Sequence, residues 1–524
     1  MGAKGTVTAR GATTLPSASS WAVPFLGVLG AIQGAAPNIA STALVGASRG
    51  LHMAGGTLAL ASSVATLSTA ATVISTGLLA DRLGRRRVLM VGLLIAALGD
   101  LMVALAPTTS TYLLGRAIAG VGLGAVFGAA FAYIRAVAKP GKLPAAVGIF
   151  SAVIGLTSLV LTFVGGSLAG IDWRLAFLVA PAMSLVCFVL VPLVLPKEAR
   201  VVGTSTDALG QVLLIVGIIA FLYGVSELGR SLTSPRTLLS LLAGAVIIGA
   251  FFVHESRDEH RFFPVSLFRS PMFLAAICAG FIYNFGQAVA FLQVTNLWQY
   301  VNGLKTAQVA LWQLPLTGAG IVAALIVGRM MTRGMTNRSA LLAGTAITAA
   351  GFVFLAALHG STNLVGFLPG LVLVGAGVIT CAVPYGNLII EEAPPKYFGP
   401  VTSSRTTIGQ FFFAIGFSIS TVAIDKLTVG GTLHRLSAAG VPPTQTSTGL
   451  DAVTAYAAKS TAPTTSLGHQ ALGDALVSYG NAFAVMMLIA AAVCVLAGVV
   501  GFYLLRRDGE SSTTTEPAPA AAAA

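Results

Sequence analysis

The chain has 524 residues, of which 56% are hydrophobic and 9% charged, and its formal net charge is +13. Ordinary soluble domains carry about a quarter charged residues, so a chain this poor in charge and with a mean hydropathy of +0.88 is read as a set of bilayer spans. The basic excess sits in short loops between apolar runs, without aromatic interleaving, which excludes a nucleic-acid-binding surface.

Crossing a hydrocarbon core takes about 20 helical residues. Apolar runs of that size fall at 21–45, 56–80, 87–106, 111–134, 144–169, 174–195, 208–228, 236–254, 272–296, 306–328, 339–358, 365–388, 400–425 and 479–505. The expected fold is therefore all-α and integral to the membrane, with fourteen spans. Residues 1–20 form a short leading segment with Lys4 and Arg10 and no convincing cleavage site, so the first run is expected to be a retained span.

An even span count puts both ends on the same side, and the basic residues indicate which. Loops after the even-numbered spans hold Arg82, Arg85, Arg86, Arg87, Arg135, Lys139, Lys142, Lys197 and Lys396, whereas the opposite loops hold fewer. The positive-inside rule makes the richer side, and both termini, cytoplasmic, in a bacterial-type inner membrane. The 426–478 segment, rich in Thr, Ser, Ala and Gly, is expected to be an external, weakly ordered loop with partial helix near 450–460. The tail 506–524 is expected to be disordered.

The most specific local signal joins spans 2 and 3, "GLLADRLGRRRVLM". Gly77 and Gly84 permit close approach and a sharp turn. Asp81 stands at the membrane face among Arg82, Arg85, Arg86 and Arg87. An acid beside a basic cluster and a nearby helix N-terminus makes a charged latch that exists in one conformation and breaks in another. A plain basic loop explains the arginines but neither Asp81 nor the glycine spacing.

This loop resembles the signature of the major facilitator superfamily, matching it at Gly77, Leu79, Asp81, Arg82, Gly84, Arg85 and Arg86. The resemblance implies two pseudo-symmetric six-helix halves that alternate access, with the loop governing interconversion. A weak echo from Gly328, with Arg333 and Arg338 but Thr332 in place of the acid, falls between spans 10 and 11. Spans 7 and 8 then read as an insertion between the halves. The expected division is 21–200 for the first half, 201–262 for the inserted pair and 263–505 for the second half.

Arg116 stands near the start of span 4, where a buried charge costs roughly 2.5–3.5 kcal/mol on insertion scales; the alternative is an arginine reaching back to the headgroups. Its surroundings are similar to the family's second motif, which implies a place in proton transfer. Gly120, Gly124 and Gly128 follow at helical spacing and read as a packing face. In span 5, Gly155, Gly165 and Gly166 and the following Trp173-Arg174 are similar to the antiporter motif, but Leu161-Thr162 replaces its Gly-Pro.

The fourteen-span drug-exporting branch usually has an acid in span 1, where this chain has Gln33, with Asn38 following. Proton coupling then needs another carboxyl. Asp100 rises about 20 Å from the basic face and is the preferred candidate, against a carboxyl merely hydrogen-bonded between helices. Glu227 is a second candidate, read as interfacial. A polar stripe in span 9, Asn284, Gln287 and Phe291, with Gln313 in span 10 and Gln410 in span 13, suits an uncharged or delocalised solute; interhelical hydrogen bonds are the competing explanation.

Cys187, Cys278, Cys381 and Cys494 each stand alone in an apolar run, offering neither a disulfide framework nor metal-ligand spacing. The histidines of "HESRDEH" are too far apart for a zinc helix, so neither an enzyme nor a cofactor is expected. The reading is a monomeric secondary transporter that exports amphipathic small molecules in exchange for protons. A permease for a lipid, siderophore or metabolite with atypical coupling, and a non-transporting receptor, are the alternatives.

Overall fold

The computed structural model describes residues 21–53, 55–197, 207–228, 234–257, 262–304, 306–459 and 463–511. Within a bilayer each backbone N–H and C=O must find a partner inside the protein, and a helix achieves this within one segment. Accordingly the described residues form helices and no strands, and fourteen helices are long and apolar enough to span a membrane. The expected segment 1–20 and most of the expected tail lie outside the described residues.

The first half comprises α1 (Ala22–Gly50), α2 (Gly55–Leu83), α3 (Arg85–Ala104), α4 (Thr109–Val137), α5 (Leu143–Ala169), the short α6 (Trp173–Ala176) and α7 (Val179–Val194). The inserted pair is α8 (Ala208–Leu228) and α9 (Pro235–Arg257). The second half comprises α10 (Pro271–Tyr300), the short α11 (Thr306–Trp312), α12 (Leu314–Thr332), α13 (Asn337–Ala357), α14 (Leu368–Glu392), α15 (Phe398–Ala438), α16 (Pro443–Lys459) and α17 (Ser466–Ser511).

Small residues set how closely these helices approach, because lipid gives apolar surfaces little reason to associate and packing must supply the attraction. A Cβ on Gly120 would collide with the Ala65 carbonyl of α2, and one on Gly122 with the backbone of α3 at Ala96. Alternating glycines thus let α4 sit tightly between α2 and α3. Gly165 packs on Ile39 of α1 and Gly155 on Ile321 of α12, while Gly166 just reaches Thr42.

The halves meet along two seams, α2 against α15 and α5 against α12. Gly77 serves the first, lying against Gly399 and Ser403, and Gly328 the second, lying against Pro144, Ala145 and Gly148. The weak sequence echo therefore occupies matching places in the two halves. Helices α8 and α9 pack on each other, and α8 also touches α2 and α15, with Phe221 stacked on Phe411 at 5.3 Å. At the junction of the inserted pair Asp207 accepts the Gly210 N–H at 2.8 Å, and His254 Nε2 lies 3.0 Å from its carboxylate.

The segment expected as a weakly ordered loop is largely helical. At about 1.5 Å per residue, α15 and α17 run about 60 and 70 Å, well beyond a hydrocarbon core of about 30 Å. Both project past the membrane, with α16 packed on α17. Low hydropathy concealed this, because one small apolar face suffices once two helices pair: Leu436, Ala471 and Ala475 are buried there. At its other end α17 continues to Ser511, so the start of the expected tail is helical too.

Candidate functional site: a carboxylate latch and a buried arginine between the halves

The turn from α2 to α3 is made at Gly84, whose φ of 98° suits glycine. The side carrying it is the loop face. One turn earlier Asp81 is 2% exposed, and its two oxygens are committed separately. One accepts from Arg85 at 3.2 Å, and the other accepts the Gly399 backbone N–H at 2.5 Å. Gly399 is in the first turn of α15, where backbone N–H groups lack intrahelical partners and the helix dipole favours negative charge. A carboxylate of the first half thus caps a helix of the second.

Cation–aromatic contacts surround this cap. Phe398 lies under Arg85 at 4.8 Å and Arg135 at 5.2 Å, and Arg135 also donates to the Ile390 carbonyl at 3.4 Å. Arg82 and Arg86 are half-buried on the same turn. The corresponding turn after α12 has Thr332 in the acid's place, and its hydroxyl donates to its own helix at Gly328. The carboxylate cap is therefore seen at one seam and has no carboxylate counterpart at the other among the described residues.

Asp100 and Arg116, considered separately in the sequence, are partners. Arg116 Nη1 lies 3.3 Å from the Asp100 carboxylate, and both residues are 1% exposed. Gly99 and Gly115 permit the contact, since a Cβ on either would collide with the facing helix. The Phe177 ring lies 5.5 Å from the guanidinium, and Arg116 Nε and the nearby Tyr112 hydroxyl are buried without partners. The pair sits inside the first half, between α3 and α4. Glu227, in the last turn of α8, is half-buried.

The polar stripe on α10 divides. Asn284 donates to the Gly280 carbonyl at 2.8 Å and packs against Gly409 of α15. Gln313 donates to the Phe291 carbonyl at 3.0 Å and to Thr295 Oγ1 at 2.7 Å, tying α12 to α10. Gln293 donates to Ser420 at 2.8 Å. Gln313 and Gln293 thus tie helices of the second half together and Asn284 is satisfied within its own helix, whereas Gln33, Gln287 and Gln410 are half-buried with no side-chain hydrogen bond among the described residues. Phe291 and Asn38 are exposed at the helix surface.

Sequence reasoning missed Arg405. It lies about two turns into α15, some 10 Å from the loop face, and is 8% exposed. Its guanidinium is stacked between Phe131 of α4 at 4.7 Å and Tyr385 of α14 at 5.1 Å, one ring from each half. The Tyr385 hydroxyl donates to the Arg405 carbonyl at 2.7 Å, and Thr407 donates to the Ala70 carbonyl of α2 at 2.7 Å. The only sequence signal is an arginine placed after the start of an apolar run, which is easily taken for an ordinary loop-edge cation. A cavity of about 530 Å³ lies elsewhere, between the projecting ends of α15 and α17.

A model of the Major Facilitator Superfamily matches residues 26–417. The chain is 31% identical over 273 residues to a multidrug resistance protein B homolog of Mycobacterium tuberculosis, covering 50% of each chain. It is 28% identical over 271 residues to a tetracenomycin C resistance and export protein of Streptomyces glaucescens, covering 51% of this chain and 50% of that one. The aligned region thus spans about half the length of these curated relatives. The structure of the proton:xylose symporter XylE superposes with a TM-score of 0.59 at 13% identity, covering 90% of this chain and 94% of that one. With fourteen spans, a carboxylate latch at the α2–α3 turn and this match, the chain belongs to the Major Facilitator Superfamily, a family of membrane transporters and not of enzymes.

Proposed function

We propose that the protein exports amphipathic small molecules across a bacterial inner membrane by alternating access, in exchange for protons, working as a monomer with both termini cytoplasmic. The observation that carries the reading is the Asp81 cap on α15, because it joins the halves at the loop face through contacts that separation would break. The basic loops support assigning that face to the cytoplasm. The names of the relatives support efflux. The halves are assigned as 21–200 and 263–505, with 201–262 inserted.

Proton coupling is assigned to Asp100 with Arg116. A carboxylate held by one arginine inside the bilayer has two stable forms, ionised with the pair closed or protonated with the pair released. Switching between them alters the packing of α3 against α4, and α4 is held to α2, the helix that bears the latch. Gln33, Gln287 and Gln410 are assigned to the solute, since their amides remain uncommitted.

The test is efflux of a neutral amphipathic dye from proteoliposomes under an imposed pH gradient. Gradient-driven efflux by the wild type, lost in Asp100→Asn, is the expected result. Folded, correctly inserted protein that moves the dye at the same rate with and without the gradient would refute coupling and favour a uniporting permease.

A further inference from the structure

Arg405 is left unexplained by the latch, by the Asp100–Arg116 pair and by the distribution of basic residues in loops. It lies inside the span, and among the described residues no carboxylate forms an ion pair with it and its guanidinium makes no hydrogen bond. Nε is fully buried without a partner. The titratable neighbours within electrostatic reach include two phenols, Tyr283 and Tyr385, which supply no counter-charge near neutral pH. Among the described residues the cation is thus compensated only by the faces of two aromatic rings.

One of those rings belongs to the other half. Phe131 is part of an aromatic cluster with Phe127 and Phe150, with centroids 5.8–6.5 Å apart, and it also touches Gly386 of α14. This is the layer just inside the latch. On the alternating-access reading proposed above, parting of the halves on the loop face would take Phe131 away with the first half and leave Arg405 with the second. In that state the guanidinium would line the opening with unfilled donors, and the aromatic cluster would face it.

We propose that Arg405 is the anion-recognition residue of the pathway and that the exported solute is an amphipathic aromatic anion, a carboxylate or a sulfonate. The inference rests on the exporter reading above and narrows it. The planar guanidinium fork offers two parallel N–H donors to an oxyanion, and the solute's ring takes the place of Phe131 on the guanidinium face or stacks within the phenylalanine cluster. A lipophilic cation meets an uncompensated like charge at this layer and is disfavoured.

The experiment compares carboxyfluorescein, ethidium and neutral N-phenylnaphthylamine as probes in proteoliposomes, using wild type, Arg405→Gln and Arg405→Lys, with folding checked by thermal unfolding in detergent. Wild type is expected to export carboxyfluorescein, Arg405→Gln to lose that activity by about tenfold or more while keeping the neutral dye, and Arg405→Lys to fall between, since it keeps the charge but not the fork. If Arg405→Gln fails to fold, the Lys variant and equilibrium binding of the three dyes to wild-type protein decide. An equal loss of all probes in a folded variant, or wild-type protein that prefers ethidium to carboxyfluorescein, overturns the inference while leaving export intact. Wild-type protein that moves none of the three overturns the exporter reading, and this inference with it.

Discussion

Replacing Asp81 should shift the protein toward the conformation open at the loop face. In Asp81→Asn the neutral amide oxygen can still accept from Gly399, but the charge facing the α15 N-terminus is gone, at about 1–2 kcal/mol for a partly buried site. The Arg85 contact is an i,i+4 pair within the first half and so does not distinguish the closed state from the open one. Asp81→Ala also leaves the buried Gly399 N–H unmet, for about 2–3 kcal/mol in all. With about 1.4 kcal/mol per factor of ten, the closed state should lose roughly tenfold in the first variant and several times more in the second. Spin labels at the exposed positions Lys139 and Lys396, one on each half at the loop face, read this as a longer distance population by electron–electron resonance. An unchanged distance distribution in Asp81→Ala would refute the claim that this carboxylate holds the halves together.

Gly77→Val should prevent closure at the same seam, because any Cβ there collides with Gly399 and Ser403; the same labels should then report a permanently longer distance, together with loss of transport. Arg116→Ala should lower the unfolding temperature by an amount equivalent to about 3–5 kcal/mol, since it strands a buried carboxylate, and Arg116→Leu combined with Asp100→Leu should recover most of it. A double variant no more stable than the single one would show that the pair is not the unit assumed. Burial alone raises the Asp207 carboxyl, but the Gly210 N–H and His254 outweigh it and hold it below its ordinary value. Its contribution to stability is therefore present above about pH 4 and lost as pH falls through the lowered value, so thermal unfolding of Asp207→Asn should show a shallower acid decline than wild type.

The spans were legible because about 20 apolar residues in succession have few other uses, and the charged turn at Asp81 stood out because an acid and two glycines among basic residues demand more than a topological signal. Their partners were not. Gly399 offers only a backbone N–H, which leaves no mark on a sequence, and the Asp100–Arg116 pair joins separate helices. Arg405 escaped because an arginine near a span end resembles any loop-edge cation until its depth is known. The amides of α10 were visible as a stripe, but which were already hydrogen-bonded depended on Thr295, Ser420 and the backbone around them. In the 426–478 segment, small residues that look like a loop instead allow two long helices to pair outside the membrane.

The central claim, that transport requires the halves to part on the latch side, is tested most directly by a reversible cross-link between α4 and α15. An ideal Cβ at Gly128 lies 3.5 Å from Ser403 Cβ, within the range of a disulfide, so Gly128→Cys with Ser403→Cys, in a background lacking Cys187, Cys278, Cys381 and Cys494, should lock the closed state on oxidation. Dye efflux should stop when the bond forms and return when it is reduced. Efflux at the same rate with the bond demonstrably intact would contradict the claim.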